Sequence, residues 1–149
     1  MTTNKKTIIS LMIIVFLFVF DRFLKILALK EKFNNYQIFG NLLKFNFTPN
    51  YYIAFSLPIK GAALTIFIFF IITFLLFYTV VMWQKKEYII FLFLIAISLG
   101  SISNLWDRVK FGYVIDYFDL KYFTIFNIAD ILIVSSAILL IIYLHLKNK

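Results

Sequence analysis

The fold class predicted by this sequence is an all-α membrane protein: four transmembrane helices with a small extracytoplasmic β-element after the first span. Three observations lead there. Of the 149 residues, 63% are apolar and only 15% charged, whereas a soluble domain carries about 25% charged residues. Four apolar segments, near 7–29, 61–83, 88–106 and 125–146, reach the roughly 20 residues that a helix needs to cross about 30 Å of hydrocarbon. Between the first two, Leu43-Lys44-Phe45-Asn46-Phe47-Thr48 alternates apolar and polar residues with the period of a half-buried strand.

The first span follows Lys5-Lys6 as a secretory signal would. It is too long for a signal-peptide apolar region, and Leu27-Ala28-Leu29-Lys30 offers no small-x-small cleavage site, so it reads as a retained span. The outer loop 30–60 is the longest polar stretch, and its turn formers include Asn34-Asn35, Gly40-Asn41, Pro49-Asn50 and Pro58. Gln84-Lys85-Lys86-Glu87 joins spans two and three tightly, and the outer loop 107–124 separates spans three and four. Four spans place both termini and the Lys85-Lys86 turn on one side. The density of lysines there (Lys5, Lys6, Lys85, Lys86, Lys147, Lys149) marks that side as cytoplasmic, although Lys30, Lys32, Lys44, Lys60, Arg108, Lys110 and Lys121 lie on the other.

The net charge of +8 does not point to nucleic acid, because the basic residues punctuate apolar segments and form no contiguous surface. Lysines at membrane flanks, facing lipid headgroups, fit that spacing. Cysteine is absent, which removes disulfides, thiolate metal sites and a cysteine nucleophile. The single histidine, His145, falls on the cytoplasmic side. No Ser–His dyad, zinc-binding His-Glu-x-x-His helix or Gly-rich phosphate loop can therefore be built at the outer layer.

Two aspartates demand explanation. Asp116 lies in Gly112-Tyr113-Val114-Ile115-Asp116-Tyr117, and Asp130 ends Phe126-Asn127-Ile128-Ala129-Asp130 at the start of the fourth span. A charged carboxylate in a spanning helix costs about 2.5–3.5 kcal/mol on insertion scales, so each is a functional candidate. Other polar residues converge on the same layer: Asp21, Arg22 and Lys25 late in span one, Asn104, Asp107 and Arg108 at the end of span three, and Asn127 beside Asp130. Each has a plainer reading too. Asp21 and Lys25, four apart, can neutralise one another on one helix face. Arg108 can cap a helix end or position substrate through its guanidinium fork. Asp130 can serve the helix macrodipole in a first turn. Asp119 is expected to face solvent, and Ala96, Gly100, Ser103, Ser135, Ser136 and Ala137 to let helices approach closely.

A pair of carboxyls suits acid–base chemistry. Two sharing a site cannot both ionise, so they hold one proton between them. One can act as base on a water while the protonated partner polarises a carbonyl. Asp116 and Asp130 are 14 residues apart, roughly 21 Å along a helix, so the stretch 117–124 must fold back to bring them together.

At these residues the chain resembles the lipoprotein signal peptidases, the type II signal peptidase family of bacterial aspartyl proteases. Asp21-Arg22-Phe23-Leu24-Lys25 is similar to that family's Asp-x-x-x-Lys, and Asn50-Tyr51-Tyr52-Ile53-Ala54-Phe55-Ser56 to Asn-x-Gly-x-Ala-Phe-Ser. Gly100-Ser101-Ile102-Ser103-Asn104-Leu105-Trp106-Asp107-Arg108 is similar to Gly-x-x-Gly-Asn-x-x-Asp-Arg; Val114-Ile115-Asp116-Tyr117 and Phe126-Asn127-Ile128-Ala129-Asp130 follow in family order. The resemblance implies a single integral-membrane peptidase domain over 1–149 with Asp116 and Asp130 as the catalytic pair. It implies that Asn50, Asn104, Arg108 and Asn127 line or brace the substrate site and that Asp21 supports it. The implied partners are membrane lipids and prolipoproteins bearing a diacylglyceryl-modified cysteine, cut just before that cysteine, in the bacterial cytoplasmic membrane. No metal or organic cofactor and no nucleic acid are implied, and a monomer is favoured. Tyr52 and Ser103 stand where the family usually has glycine, so the outer loop and the packing of span three are expected to differ there.

Two other classes compete with a peptidase. A small proton-coupled transporter would place a carboxylate near the bilayer midplane, where every span here is apolar. A non-catalytic membrane scaffold related to the peptidases would not need both aspartates.

Overall fold

The computed structural model describes residues 3–30, 35–52 and 61–149. In chain order its elements are α1 (Thr3–Leu29), β1 (Tyr36–Phe39), β2 (Leu43–Asn50), α2 (Ala62–Gln84), α3 (Tyr88–Phe111), β3 (Val114–Leu120), β4 (Ile125–Phe126) and α4 (Ile128–Lys147). Among the described residues, all four helices are long and apolar enough to cross a bilayer. Protein covers only 11% of the apolar stretch of α1 and 33% of that of α3, which leaves rings and branched chains such as Phe16, Phe70, Phe74 and Ile141 for lipid. As the most covered helix, α3 is the central one, and it packs against α1, α2 and α4.

Small side chains set how closely α3 and α4 approach. A methyl group on Gly100 would lie 2.7 Å from the Ala129 carbonyl oxygen and 2.9 Å from Ile133 Cγ1. Buried Ala96 and Ser103 lie on the same side of α3. Between helices in lipid, such close backbone contact replaces the hydrophobic drive that water would supply.

Three helix ends differ from the sequence reading by three residues or more, the first being the start of α1, at Thr3 and not near 7. Helix α3 runs to Phe111, past the expected end at Trp106, so Asp107 and Arg108 remain helical. It stops where Gly112 turns left-handed (φ 81°) and donates its N–H to the Arg108 carbonyl at 3.0 Å. Helix α4 starts at Ile128, not at 125, because Asn127 caps it: the Asn127 side chain accepts from the Asp130 N–H, and the Asp130 side chain accepts from the Asn127 N–H.

The alternation at 43–48 does form a strand, and the sheet around it is larger than the sequence suggested. Four strands lie antiparallel in the order β1-β2-β3-β4. The loop 107–124 provides β3 and the fold-back into β4. Asp119 is half-buried within β3, opposite Lys44, where the sequence suggested open solvent. Phe45, Ile115 and Tyr117 pack with Ala28, Leu24 and Leu27 of α1 and with Ile128 and Leu132 of α4. The sheet is thereby fastened to one end of the bundle. At the other end, Lys147 pairs with Glu87 at 2.7 Å.

Gly100→Ala must push α4 away from α3. We expect it to lower stability by about 1–3 kcal/mol, as overpacking does, seen as a lower unfolding midpoint in detergent; an unchanged midpoint would refute the close approach.

Candidate active site

Pairing of β3 with β2 puts Thr48 opposite Asp116, and the Asp116 side chain is 2% exposed. Its Oδ1 accepts from Asn127 Nδ2 at 2.6 Å and its Oδ2 from Asn50 Nδ2 at 2.9 Å. Asp130, in the first turn of α4, accepts at Oδ1 from Asn104 Nδ2 (2.8 Å) and at Oδ2 from the Asn127 N–H (3.3 Å). All four carboxyl oxygens thus meet a donor, and Asn127 touches both acids. The fold-back over 117–124 accomplishes what the 14-residue interval required. The sequence left Asp130 between a helix-cap role and a site role. Here its carboxyl caps α4 and also accepts from Asn104 of α3.

Each asparagine is anchored through its oxygen. Asn50 Oδ1 accepts from the Tyr52 N–H at 3.1 Å, Asn127 Oδ1 from the Asp130 N–H at 2.8 Å, and Asn104 Oδ1 from Lys25 Nζ at 2.7 Å. Asn127 Nδ2 also reaches Asn104 Oδ1 at 3.3 Å and the Ile115 carbonyl at 3.4 Å.

Behind the pair lies a buried charge cluster. The i, i+4 spacing predicts an Asp21–Lys25 pair, and the two meet at 3.2 Å. Lys25 also reaches Asp107 at 2.7 Å, and Arg22 reaches Asp107 at 2.6 Å. The side chains of Asp21, Lys25 and Asp107 are fully buried. Burying such ions costs on the order of several kcal/mol each, so mutual pairing is what makes the cluster tolerable. Asp21 also fastens α4: its Oδ1 accepts from the Ala129 N–H (3.2 Å) and from the Tyr117 hydroxyl (2.8 Å), which itself accepts from the Ile128 N–H (3.0 Å).

Arg108 stands apart from this cluster. Its Nη2 donates to the Tyr52 carbonyl at 2.7 Å, while its charge faces Asp116, Asp130 and Asp107. The sequence left Arg108 between capping a helix end and positioning substrate; its hydrogen bond here goes to the outer-loop carbonyl of Tyr52.

Burial raises the Asp116 carboxyl to about 7, helped by the nearby Asp130 charge; hydrogen bonds from Asn50 and Asn127 and the charge of Lys25 oppose the rise. Tyr117 is raised above the usual phenol range, by burial first and by the Asp21 charge second, so it stays a neutral donor.

Every sequence-predicted site residue is described, and all lie at the sheet end of the bundle: Asp21, Asn50, Asn104, Arg108, Asp116, Asn127 and Asp130. The stretch 53–56 of the Asn50 motif lies outside the described residues. Sequence reasoning did not anticipate Tyr117 or the hydroxyl of Ser103. Ser103 Oγ donates to Asp21 Oδ2 at 2.5 Å and accepts from Arg22 (3.2 Å) and Lys25 (3.3 Å). Where a glycine is usual, this chain adds Ser103 as a fifth polar group to Asp21, Arg22, Lys25 and Asp107. Tyr52 does not take up the backbone freedom of glycine, since the positive-φ non-glycine residues among those described are Asn35, Lys86 and Tyr122. Its backbone N–H and carbonyl hold Asn50 and Arg108, as those of any residue but proline could.

The family model described as "Signal peptidase (SPase) II" matches residues 13–146. A "Lipoprotein signal peptidase" of Clostridium novyi (strain NT) is 30% identical over 147 residues, covering 94% of this chain and 99% of that protein. Another, from Caldanaerobacter subterraneus subsp. tengcongensis, is 31% identical and covers 88% and 92%. Among solved structures, a bacterial membrane enzyme determined by the in meso method at 2.3 Å resolution superposes with a TM-score of 0.80 at 26% identity, covering 94% of this chain and 89% of the other. With the four-helix architecture and small sheet already in view, the chain belongs to the signal peptidase II family.

Proposed function

We propose that this protein is a membrane aspartyl endopeptidase that removes the signal peptide from prolipoproteins, cutting just before a diacylglyceryl-modified cysteine. Membership of the signal peptidase II family supports the peptidase activity, and the names of its relatives support the substrate class. One observation carries the aspartyl mechanism: the carboxyls of Asp116 and Asp130 are both bound by Asn127.

In the mechanism, the pair holds one proton. The ionised carboxyl takes a proton from a water, whose oxygen attacks the scissile carbonyl carbon. The protonated carboxyl donates to the carbonyl oxygen, and a proton then passes to the leaving amine as the C–N bond breaks. Asn50, Asn104 and Asn127 keep the carboxyls in place, Arg108 positions the substrate backbone, and Asp21 supports the start of α4. The protein acts as one multi-pass unit in the bacterial cytoplasmic membrane. The exposed Lys5, Lys6, Lys85, Lys86, Lys147 and Lys149 support a cytoplasmic position for the end opposite the sheet and, with it, an outer-face position for the pair.

Asp116→Asn and Asp130→Asn should each lower cleavage of a lipidated prolipoprotein by about 10²–10⁴-fold while membrane accumulation is unchanged. Full activity in either would remove the pair from the mechanism. The shared proton leaves as pH rises through about 7, the value to which Asp116 is raised. Cleavage should therefore fall on the alkaline side of that value, and a rate that climbs steadily through it would contradict the shared proton. Because the chain has no cysteine, an introduced one is unique. Tyr122→Cys, on the exposed turn of the sheet, should react with a membrane-impermeant thiol reagent in intact cells, and Lys86→Cys should not. The reverse pattern would invert the topology.

A further inference from the structure

The two ends of an asparagine carboxamide are nearly the same size. Which end faces a carboxyl group depends on what faces the other end. Asn50 and Asn127 have their oxygens fixed by backbone N–H groups, those of Tyr52 and Asp130. Asn104 does not: its oxygen faces the ammonium of Lys25 at 2.7 Å, with a longer contact from Asn127 Nδ2 at 3.3 Å. An ammonium has only protons to offer, so the amide nitrogen of Asn104 must turn the other way, toward Asp130 Oδ1 at 2.8 Å.

We infer that Lys25 is a positioning residue for the Asp116–Asp130 pair: by holding Asn104 Oδ1, its ammonium makes Asn104 a hydrogen-bond donor to Asp130. The inference rests on the aspartyl reading above and adds to it the group that sets the polarity of one of the three amides. Lys25 is placed to do this, besides its pairing within the charge cluster. It is fully buried on α1, does not bond either acid of the pair, and is itself held by Asp107 (2.7 Å) and Asp21 (3.2 Å).

Without Lys25, only the longer contact from Asn127 Nδ2 (3.3 Å) opposes a turn of the Asn104 amide that brings its oxygen to Asp130. An acceptor facing a carboxyl oxygen is tolerated only when that carboxyl carries the proton, so the pair would hold its proton more tightly. Loss of the positive charge acts in the same direction. The charged or titratable groups around Lys25 and the pair are Asp21 and Arg22 on α1, Asp107 and Arg108 on α3, Asp116 and Tyr117 on β3, and Asp130 on α4. Among the described residues, none of the other charged groups offers a proton to Asn104 Oδ1, so none replaces Lys25 in this role.

The test is a set of kcat and KM profiles against pH, with a lipidated prolipoprotein as substrate and purified protein in lipid. The variants are Lys25→Met and the charge-balanced Lys25→Met/Asp107→Asn, which removes one cation together with one anion and so guards against simple misfolding. Expected are a fall in kcat on the order of 10- to 100-fold, as for other orienting partners, a nearly unchanged KM, and an alkaline limb moved to higher pH. An alkaline limb that overlays that of wild type in a folded variant would overturn the positioning role, even if kcat fell. Asp116→Asn and Asp130→Asn in the same assay separate the two readings. If they cleave normally, the aspartyl mechanism fails whatever Lys25 does. If they are inactive while the Lys25 limb stays in place, only the role of Lys25 fails.

Discussion

Asn127 sits at the point where the fold and the acid pair become one structure. As the N-cap of α4, it satisfies a backbone N–H that would otherwise end a helix unpaired inside the molecule. Through the same side chain it donates to Asp116 on β3, at 2.6 Å. The helix cannot start elsewhere without moving Asp130, and the strand cannot slip in register without taking Asp116 out of reach. A one-residue slip would also turn Asp116 to the opposite face of the sheet. The geometry of the pair is therefore set by the same hydrogen bonds that define where α4 begins.

The buried ions behind it do related work for the helices. Lipid supplies little drive for one helix to choose a particular face of another. Asp21, Lys25 and Asp107 supply that choice, because any other rotation of α1 against α3 would leave an unpaired charge in a dry interior. Close contact at Gly100 then brings α4 up to α3, and Asp21 receives the first free N–H groups of α4, directly from Ala129 and through Tyr117 from Ile128. Net stabilisation by such a cluster is small; what it provides is a unique arrangement. Outside this layer the helices present apolar surface to lipid.

Much of this was legible in the sequence, for identifiable reasons. Spans are legible because bilayer thickness fixes their length, and the polar residues that share one layer are legible because charges in apolar runs are conspicuous. The pairing of Asp21 with Lys25 follows from helix spacing alone. Asp107 and Arg22 as further partners do not, since that contact joins residues 85 apart on different helices. The end of α3 was placed too early because Asp107 and Arg108 look like a boundary, whereas the stop is made by Gly112 and its left-handed turn. The start of α4 was placed too early because Ile125 and Phe126 are as apolar as the span they precede, yet they pair with β3. Tyr117 and Ser103 carry no periodic signal. Their roles exist only once three helices and a strand have met.

The central claim is that Asp116 and Asp130 hold one proton between them in a site whose carboxyl groups are held by asparagines. Infrared titration of the protein in lipid reads this directly through the carbonyl stretch of protonated carboxyl groups. The account predicts a protonated-carboxyl band that disappears as pH rises through about 7 and is absent from Asp116→Asn. A wild-type protein with no such band near neutral pH, or one whose band is untouched by that substitution, would contradict it.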